Sequence, residues 1–172
     1  MANSLRVSEV LIRRAKRSEL GAVARMAAAL VREHHARDAQ RFMLVEPVEE
    51  GYRNWLGREV ARRGAVILVA EEDIDIVGYA YGTLEARNWS ELLDVCGKLN
   101  DLYVHPSARR RGIGRQLMES MLIELESLGA PRVVLSSADG NRAAQQLFAS
   151  AGFRRTMIEM TRELSPASLP ED

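Results

Sequence analysis

Residues 102–117 read LYVHPSARRRGIGRQL. Leu99, Leu102 and Val104 supply the apolar positions of a strand that ends at His105-Pro106, because proline has no amide to give to a central ladder. From Ile113 onward, Leu117, Met121, Leu122, Leu125 and Leu128 recur at helical spacing as far as Gly129, a residue suited to leaving a helix in a left-handed conformation. The run Arg109-Arg110-Arg111-Gly112-Ile113-Gly114 therefore falls between a strand end and a helix start. Unpaired amides point outward at such a junction, the helix dipole favours an anion, and glycines let the backbone come close to it. Three arginines add positive charge. The bland alternative for this run is a solvated arginine cluster followed by an ordinary glycine turn.

Working outward, Val133–Leu135 is a short strand, Asn141–Ala151 a helix that ends at Gly152, and Phe153–Thr161 a final strand-like segment. Upstream, Val10–Ala15 reads as a first strand. A helix follows, with Leu20, Val23, Met26, Ala27, Leu30 and Val31 on one face. Residues 34–47 are charged and irregular, and a weaker helix covers Val48–Arg63. Ala65–Ala70 (AVILVA) is a continuous apolar run rich in β-branched residues, as in a strand covered on both faces. With Ile76–Leu84 it forms an antiparallel hairpin across the acidic turn Glu71-Glu72-Asp73; residues 85–98 are a polar connection. Strands and helices alternate through the second half, which predicts an α/β sheet with parallel pairing near Val104 and Leu135. Residues 1–164 read as one domain and residues 165–172 as a loose tail.

Composition narrows the function. A chain of 172 residues, 47% of them hydrophobic, buries about two thirds of its unfolded surface and can hold a core without disulfides or a structural metal. Lys+Arg and Asp+Glu are both 24, and this neutrality argues against wrapping nucleic acid or resting on anionic lipid. The three histidines and one cysteine offer no zinc-ligand spacing. Cys96 cannot form an intrachain disulfide, no apolar run approaches a membrane span, and the first ten residues lack a signal-peptide core, so the expectation is a cytoplasmic protein. His34 and His35 are adjacent, so on a helix their side chains diverge by about 100° and read as a solvated pair.

Two phosphate motifs fail against the glycine run. A Walker loop would need Gly-Lys-Ser/Thr, which is absent, and a dinucleotide fingerprint would need glycine where Leu117 stands. What remains is Arg109-x-x-Gly112-x-Gly114, preceded by Leu102-x-Val104-x-Pro106 and followed by Asn141-x-x-Ala144-x-x-Leu147-Phe148-x-x-x-Gly152-Phe153. These blocks together resemble the GNAT superfamily of acyl-CoA-dependent N-acetyltransferases, and the likeness extends weakly over Leu11–Phe153. The resemblance implies a mixed central sheet of six or seven strands flanked by about four helices. It also implies acetyl-CoA as co-substrate, no metal, and a small-molecule or peptide amine as acceptor. Members of the family are often dimers, so a homodimer is implied as well.

Carried over position by position, the resemblance places the amides of Arg110, Arg111, Gly112, Ile113, Gly114 and Arg115 on the pyrophosphate, with Arg109 at the family's Gln/Arg position. Leu102, Tyr103 and Val104 would lie on the splayed strand that pairs with pantetheine and polarises the thioester carbonyl. Asn141 would contact the coenzyme, or act as a helix cap. Phe148 stands where many members carry the tyrosine that protonates the departing thiolate. Since a thiol of pKa near ~8.5 leaves tolerably as thiolate, water or a hydroxyl such as Ser137 can supply that proton. A protonated amine must also lose a proton before it attacks. Asp101 is the first candidate base and Glu85 the second, each with an ordinary capping or ion-pairing role as the alternative. The departure at Phe148 keeps a second function open, a non-catalytic or weakly catalytic acyl-CoA-binding module.

Overall fold

The computed structural model describes residues 9–164. Five strands form one sheet in the order β1-β2-β3-β4-β5: β1 Val10–Arg14, β2 Ala65–Glu72, β3 Asp75–Glu85, β4 Cys96–Val104 and β5 Val133–Leu135. The first four pair antiparallel and β5 runs parallel to β4. Four helices cover the sheet: α1 Leu20–Arg37, α2 Val48–Glu59, α3 Ile113–Ser127 and α4 Arg142–Ser150.

The alternation of side chains along β2 explains its unbroken apolar reading. Ile67 and Val69 pack with Leu20, Val23 and Ala27 of α1 and Leu56 of α2, while Val66, Leu68 and Ala70 pack with Leu117, Met121 and Leu125 of α3. Both faces of the strand are buried, which is what a hydrophobic run without alternation encodes. Close packing of α3 depends on Gly82. A Cβ there would lie 2.6 Å from Met121 Sδ and 3.2 Å from the Lys98 carbonyl.

Three expectations change. Residues 153–164 carry no strand, and Met157, Ile158 and Met160 are exposed. A strand is made by its partner, and the edge beside this segment, β5, offers a ladder of only three residues. Among the described residues the sheet therefore has five strands rather than six or seven. Parallel pairing lies at Gly97–Leu99 against Val133–Leu135 and stops short of Val104. Finally, α1 continues through His34 to Arg37, where an irregular segment is expected. The loose-tail reading of residues 165–172 lies outside the described residues. Among those described, no helix is long and apolar enough to cross a membrane.

The start of α1 is tied to the sheet by Arg13, which donates from Nη1 to Glu19 Oε2 at 2.9 Å and from Nε to Glu71 Oε2 at 2.7 Å. The Arg13 guanidinium holds the Glu19 carboxyl down to about 2 from its ordinary 4.5. A lowered folded-state value contributes stability above the unfolded value, and that contribution is lost as pH falls from about 4.5 to about 2. Water at the rim of the pair screens part of it. Glu19→Gln is expected to cost about 1–2 kcal/mol at pH 7, a melting-point loss of roughly 3–6 °C, and to flatten the acid limb of stability against pH. Calorimetry across pH 2–7 checks both.

Candidate active site

The wedge at the heart of the molecule begins with one extra residue. Tyr81 pairs with Asp101 and the next residue, Gly82, pairs with Leu99, so Asn100 is a bulge in β4. Its Nδ2 donates to Thr83 Oγ1 at 3.0 Å. Pairing of β4 with β5 ends at Leu99 and Leu135, one residue before the bulge. Beyond that point β4 continues to Val104 while the chain after β5 turns away as Ser136, Ser137 and Ala138. A cavity of about 70 Å³ opens in the fork, floored by β4 and walled by α1, the end of β5 and α4.

Which groups of β4 face the fork follows from the ladder. His105 N–H donates to the Val77 carbonyl at 2.8 Å, and the same register makes Tyr103 and Asp101 the residues bonded to β3. Leu102 and Val104 then direct their amides and carbonyls to the other side, where no strand pairs with them. The Val104 carbonyl accepts from Arg109 Nε at 2.8 Å.

After a short turn at Pro106–Ala108 the chain enters the arginine–glycine loop. Arg110 has φ of 65° and Gly112 φ of 81°, both left-handed, and Gly112 is the N-cap of α3. This turn leaves the first amides of α3 outside the helix ladder, which Gln116 N–H to Gly112 O begins at 3.1 Å. A Cβ on Gly112 would meet only Gln116 Nε2, at 4.0 Å, so the space over the cap is open. The guanidiniums are otherwise engaged. Arg109 donates to Glu33 Oε1 at 2.7 Å and lies 5.4 Å from the Tyr103 ring centroid; Arg111 pairs with Glu72; Arg115 donates to Ser150 Oγ at 2.7 Å. Of the three consecutive arginines, Arg110 alone has no acidic partner among the described residues. Anion binding here rests on amides and dipole, with much of the arginine charge already compensated.

The structure brings Asp101, Leu102, Asn141 and Phe148 to one cavity. Burial pushes the Asp101 carboxyl up, opposed by a hydrogen bond from Tyr79 and by the charge of His34. Tyr79 donates from its hydroxyl to Asp101 Oδ2 at 3.0 Å, and its own phenol is pushed well above the usual range by burial. Asn141 caps α4, its Oδ1 accepting from Ala144 N–H at 3.3 Å, and also lines the cavity. Phe148 packs edge-on against Phe153 with centroids 6.0 Å apart.

Glu85 is the candidate that does not converge. It lies four residues past Tyr81 along β3, about 13 Å from the Asp101 level at ~3.3 Å per residue, and faces Arg62 at 3.5 Å. Two further groups line the cavity that the sequence pattern does not bring to it. His34 is part of the wall rather than a solvated side chain, and Ser137 Oγ is buried in it without a hydrogen-bond partner. The signal for His34 was present: it continues the stripe Leu20, Val23, Ala27, Leu30 by one more turn.

A family model described as Acetyltransferase (GNAT) family matches residues 22–153. The chain is 30% identical over 84 residues to the D-amino-acid N-acetyltransferase of Saccharomyces cerevisiae, an alignment that spans 49% of this chain and about half, 51%, of that enzyme. It is 27% identical over 101 residues to the glucosamine 6-phosphate N-acetyltransferase of Schizosaccharomyces pombe, covering 57% of this chain and 87% of that one. Among solved structures, a GCN5-related N-acetyltransferase from Ralstonia eutropha superposes with TM-score 0.71 at 28% identity, covering 91% of this chain and 99% of that chain. An aminoglycoside N-acetyltransferase in complex with CoA superposes with TM-score 0.76 at 17% identity, covering 93% and 97%. With the forked sheet and the left-handed glycine turn lying inside the matched residues, the chain belongs to the GNAT acetyltransferase family.

Proposed function

We propose that the protein transfers an acetyl group from acetyl-CoA to a primary amine by direct attack of the amine on the thioester. The observation that carries this reading is the fork: beyond Leu99 β4 has no strand partner on the side of a cavity that Asp101 lines, and the N-terminus of α3 leaves its first amides free. The residues fit such a co-substrate. The open space over Gly112 admits a pyrophosphate, and the unpartnered Ser137 hydroxyl offers a donor inside the cavity.

In this reading the amides of Arg110 to Arg115 bind the pyrophosphate, and the main chain at Leu102 and Val104 pairs with pantetheine, Tyr103 lying between them. The Leu102 amide stabilises the charge that develops on the thioester oxygen, where a preorganised donor is worth about 10²–10³ in rate. Asp101 receives the ammonium of the acceptor and holds it in the cavity while its proton is drawn off. Ser137 returns a proton to the leaving sulfur, the task that Phe148 cannot perform. Arg109 ties the end of β4 to α1 through Glu33 and keeps the fork open.

Thermal unfolding with acetyl-CoA, and with NAD and ATP as phosphate-bearing controls, tests the co-substrate. At a hundred times the dissociation constant the expected gain is about 2.7 kcal/mol, roughly 5–10 °C, for acetyl-CoA alone. An equal shift with ATP would reduce the loop to a general anion site. The phenylalanine at 148 supports a second reading, a module that binds acyl-CoA without turnover. Acetyl-CoA consumption against polyamines, aminoglycosides, amino acids and peptide N-termini separates the two.

A further inference from the structure

A second proton-accepting group stands in the wall of the cavity, on a different element from Asp101. His34 follows Leu30 by one turn of α1, and both line the cavity with Asp101. Its Nδ1 lies 2.8 Å from the Leu30 carbonyl. A carbonyl oxygen only accepts, so Nδ1 carries the hydrogen and the neutral ring has its lone pair on Nε2. The ring is held in place by the edge of Phe42, with centroids 4.9 Å apart. His35 is committed elsewhere, its Nδ1 donating to the Phe42 carbonyl at 2.8 Å.

We propose that His34 is a catalytic base in the N-acetyl transfer inferred above: Nε2 is where the proton of the acceptor ammonium comes to rest, while the Asp101 carboxylate holds that ammonium in the cavity. The inference rests on that reading and deepens it. One N–H bond of the ammonium breaks as the Nε2–H bond forms, giving neutral amine and imidazolium with Asp101 still ionised. The amine lone pair then forms the C–N bond, the C–S bond breaks, and the second amine proton goes to the departing sulfur by way of Ser137. The imidazolium returns its proton to solvent.

The chemistry favours this division of labour. A base works best when its affinity for protons matches the operating pH, and imidazole meets that condition better than a carboxylate does. Asp101 in turn stabilises the imidazolium by charge, since both groups line the same cavity. Tyr52 of α2, Tyr79 of β3 and Tyr103 of β4 are all pushed upward by burial, and Glu33 of α1 is paired with Arg109.

Steady-state kinetics of the full chain, with acetyl-CoA and whichever amine of the panel is acetylated fastest, decide the matter. His34→Gln is expected to lower kcat roughly a hundredfold, leave the KM for acetyl-CoA within about threefold, and change the pH profile of kcat. His34→Ala is expected to regain activity when imidazole is added, a response that a purely structural histidine would not give. Melting curves of both variants show that they are folded. If His34→Gln keeps its kcat and the same pH profile, or the alanine variant is not rescued, the role of His34 is overturned while acetyl transfer stands. A wild-type protein that binds acetyl-CoA and acetylates none of the amines overturns both.

Discussion

Replacing Gly112 by aspartate is expected to raise the dissociation constant for acetyl-CoA by at least about a hundredfold. Two effects combine at this position. The residue sits at φ of 81° as the N-cap of α3, a left-handed conformation in which any side chain costs something and aspartate and asparagine cost least. Aspartate also sets a carboxylate against the amides that would hold the pyrophosphate. Two like charges about 4 Å apart repel by about 4 kcal/mol at an effective dielectric of ~20, and salt leaves something over half of that. Gly112→Asn separates the causes, since asparagine tolerates the left-handed backbone and brings no charge. Its affinity is expected to stay within about tenfold of wild type, a loss of at most ~1.4 kcal/mol. Calorimetric titration with acetyl-CoA measures both variants, and unchanged affinity in Gly112→Asp would remove the loop from the site.

The second large effect is expected at Asp101. Asp101→Asn preserves shape and still accepts the hydrogen bond from Tyr79, but it carries no charge to attract an ammonium. A fall in kcat/KM for the amine of about 10²–10⁴ is expected, with acetyl-CoA affinity unchanged. The same change should stabilise the fold at neutral pH. Burial raises the Asp101 carboxyl, so its stabilising contribution is complete below the unfolded value and is lost as pH rises through the folded one. Above that window the charged form costs stability that asparagine does not. A variant that is more stable at pH 7 and nearly inactive would mark Asp101 as a group kept for chemistry. Full activity in Asp101→Asn would end its assignment to the acceptor.

How much of this was legible follows from the range of the interactions involved. The phosphate-binding turn was readable because its parts are consecutive: a strand stop at Pro106, two glycines and an apolar helix pattern act within about twenty residues. The β2–β3 hairpin was readable for the same reason. The absence of a sixth strand was not, because residues 153–164 have strand-like composition and lack only a partner. Asp101 and Glu85 are the first and second acids that the sequence offers; the bulge at Asn100 and the register of β3 decide that Asp101 lines the cavity and Glu85 faces Arg62.

By itself, the sequence determined the family, the sheet's buried central hairpin and the backbone shape of the glycine turn, since each is dictated by local conformational preference and hydrophobic period. Only the tertiary structure decided which charges are available and which meet. It committed Arg109 to Glu33 and Arg111 to Glu72, left the Ser137 hydroxyl without a partner, and brought His34 of α1 to the same cavity as Asp101 of β4. Those pairings join residues tens of positions apart. They exist because α1 packs across the face of the sheet at the place where β4 and β5 part, and no local preference in the chain encodes that meeting.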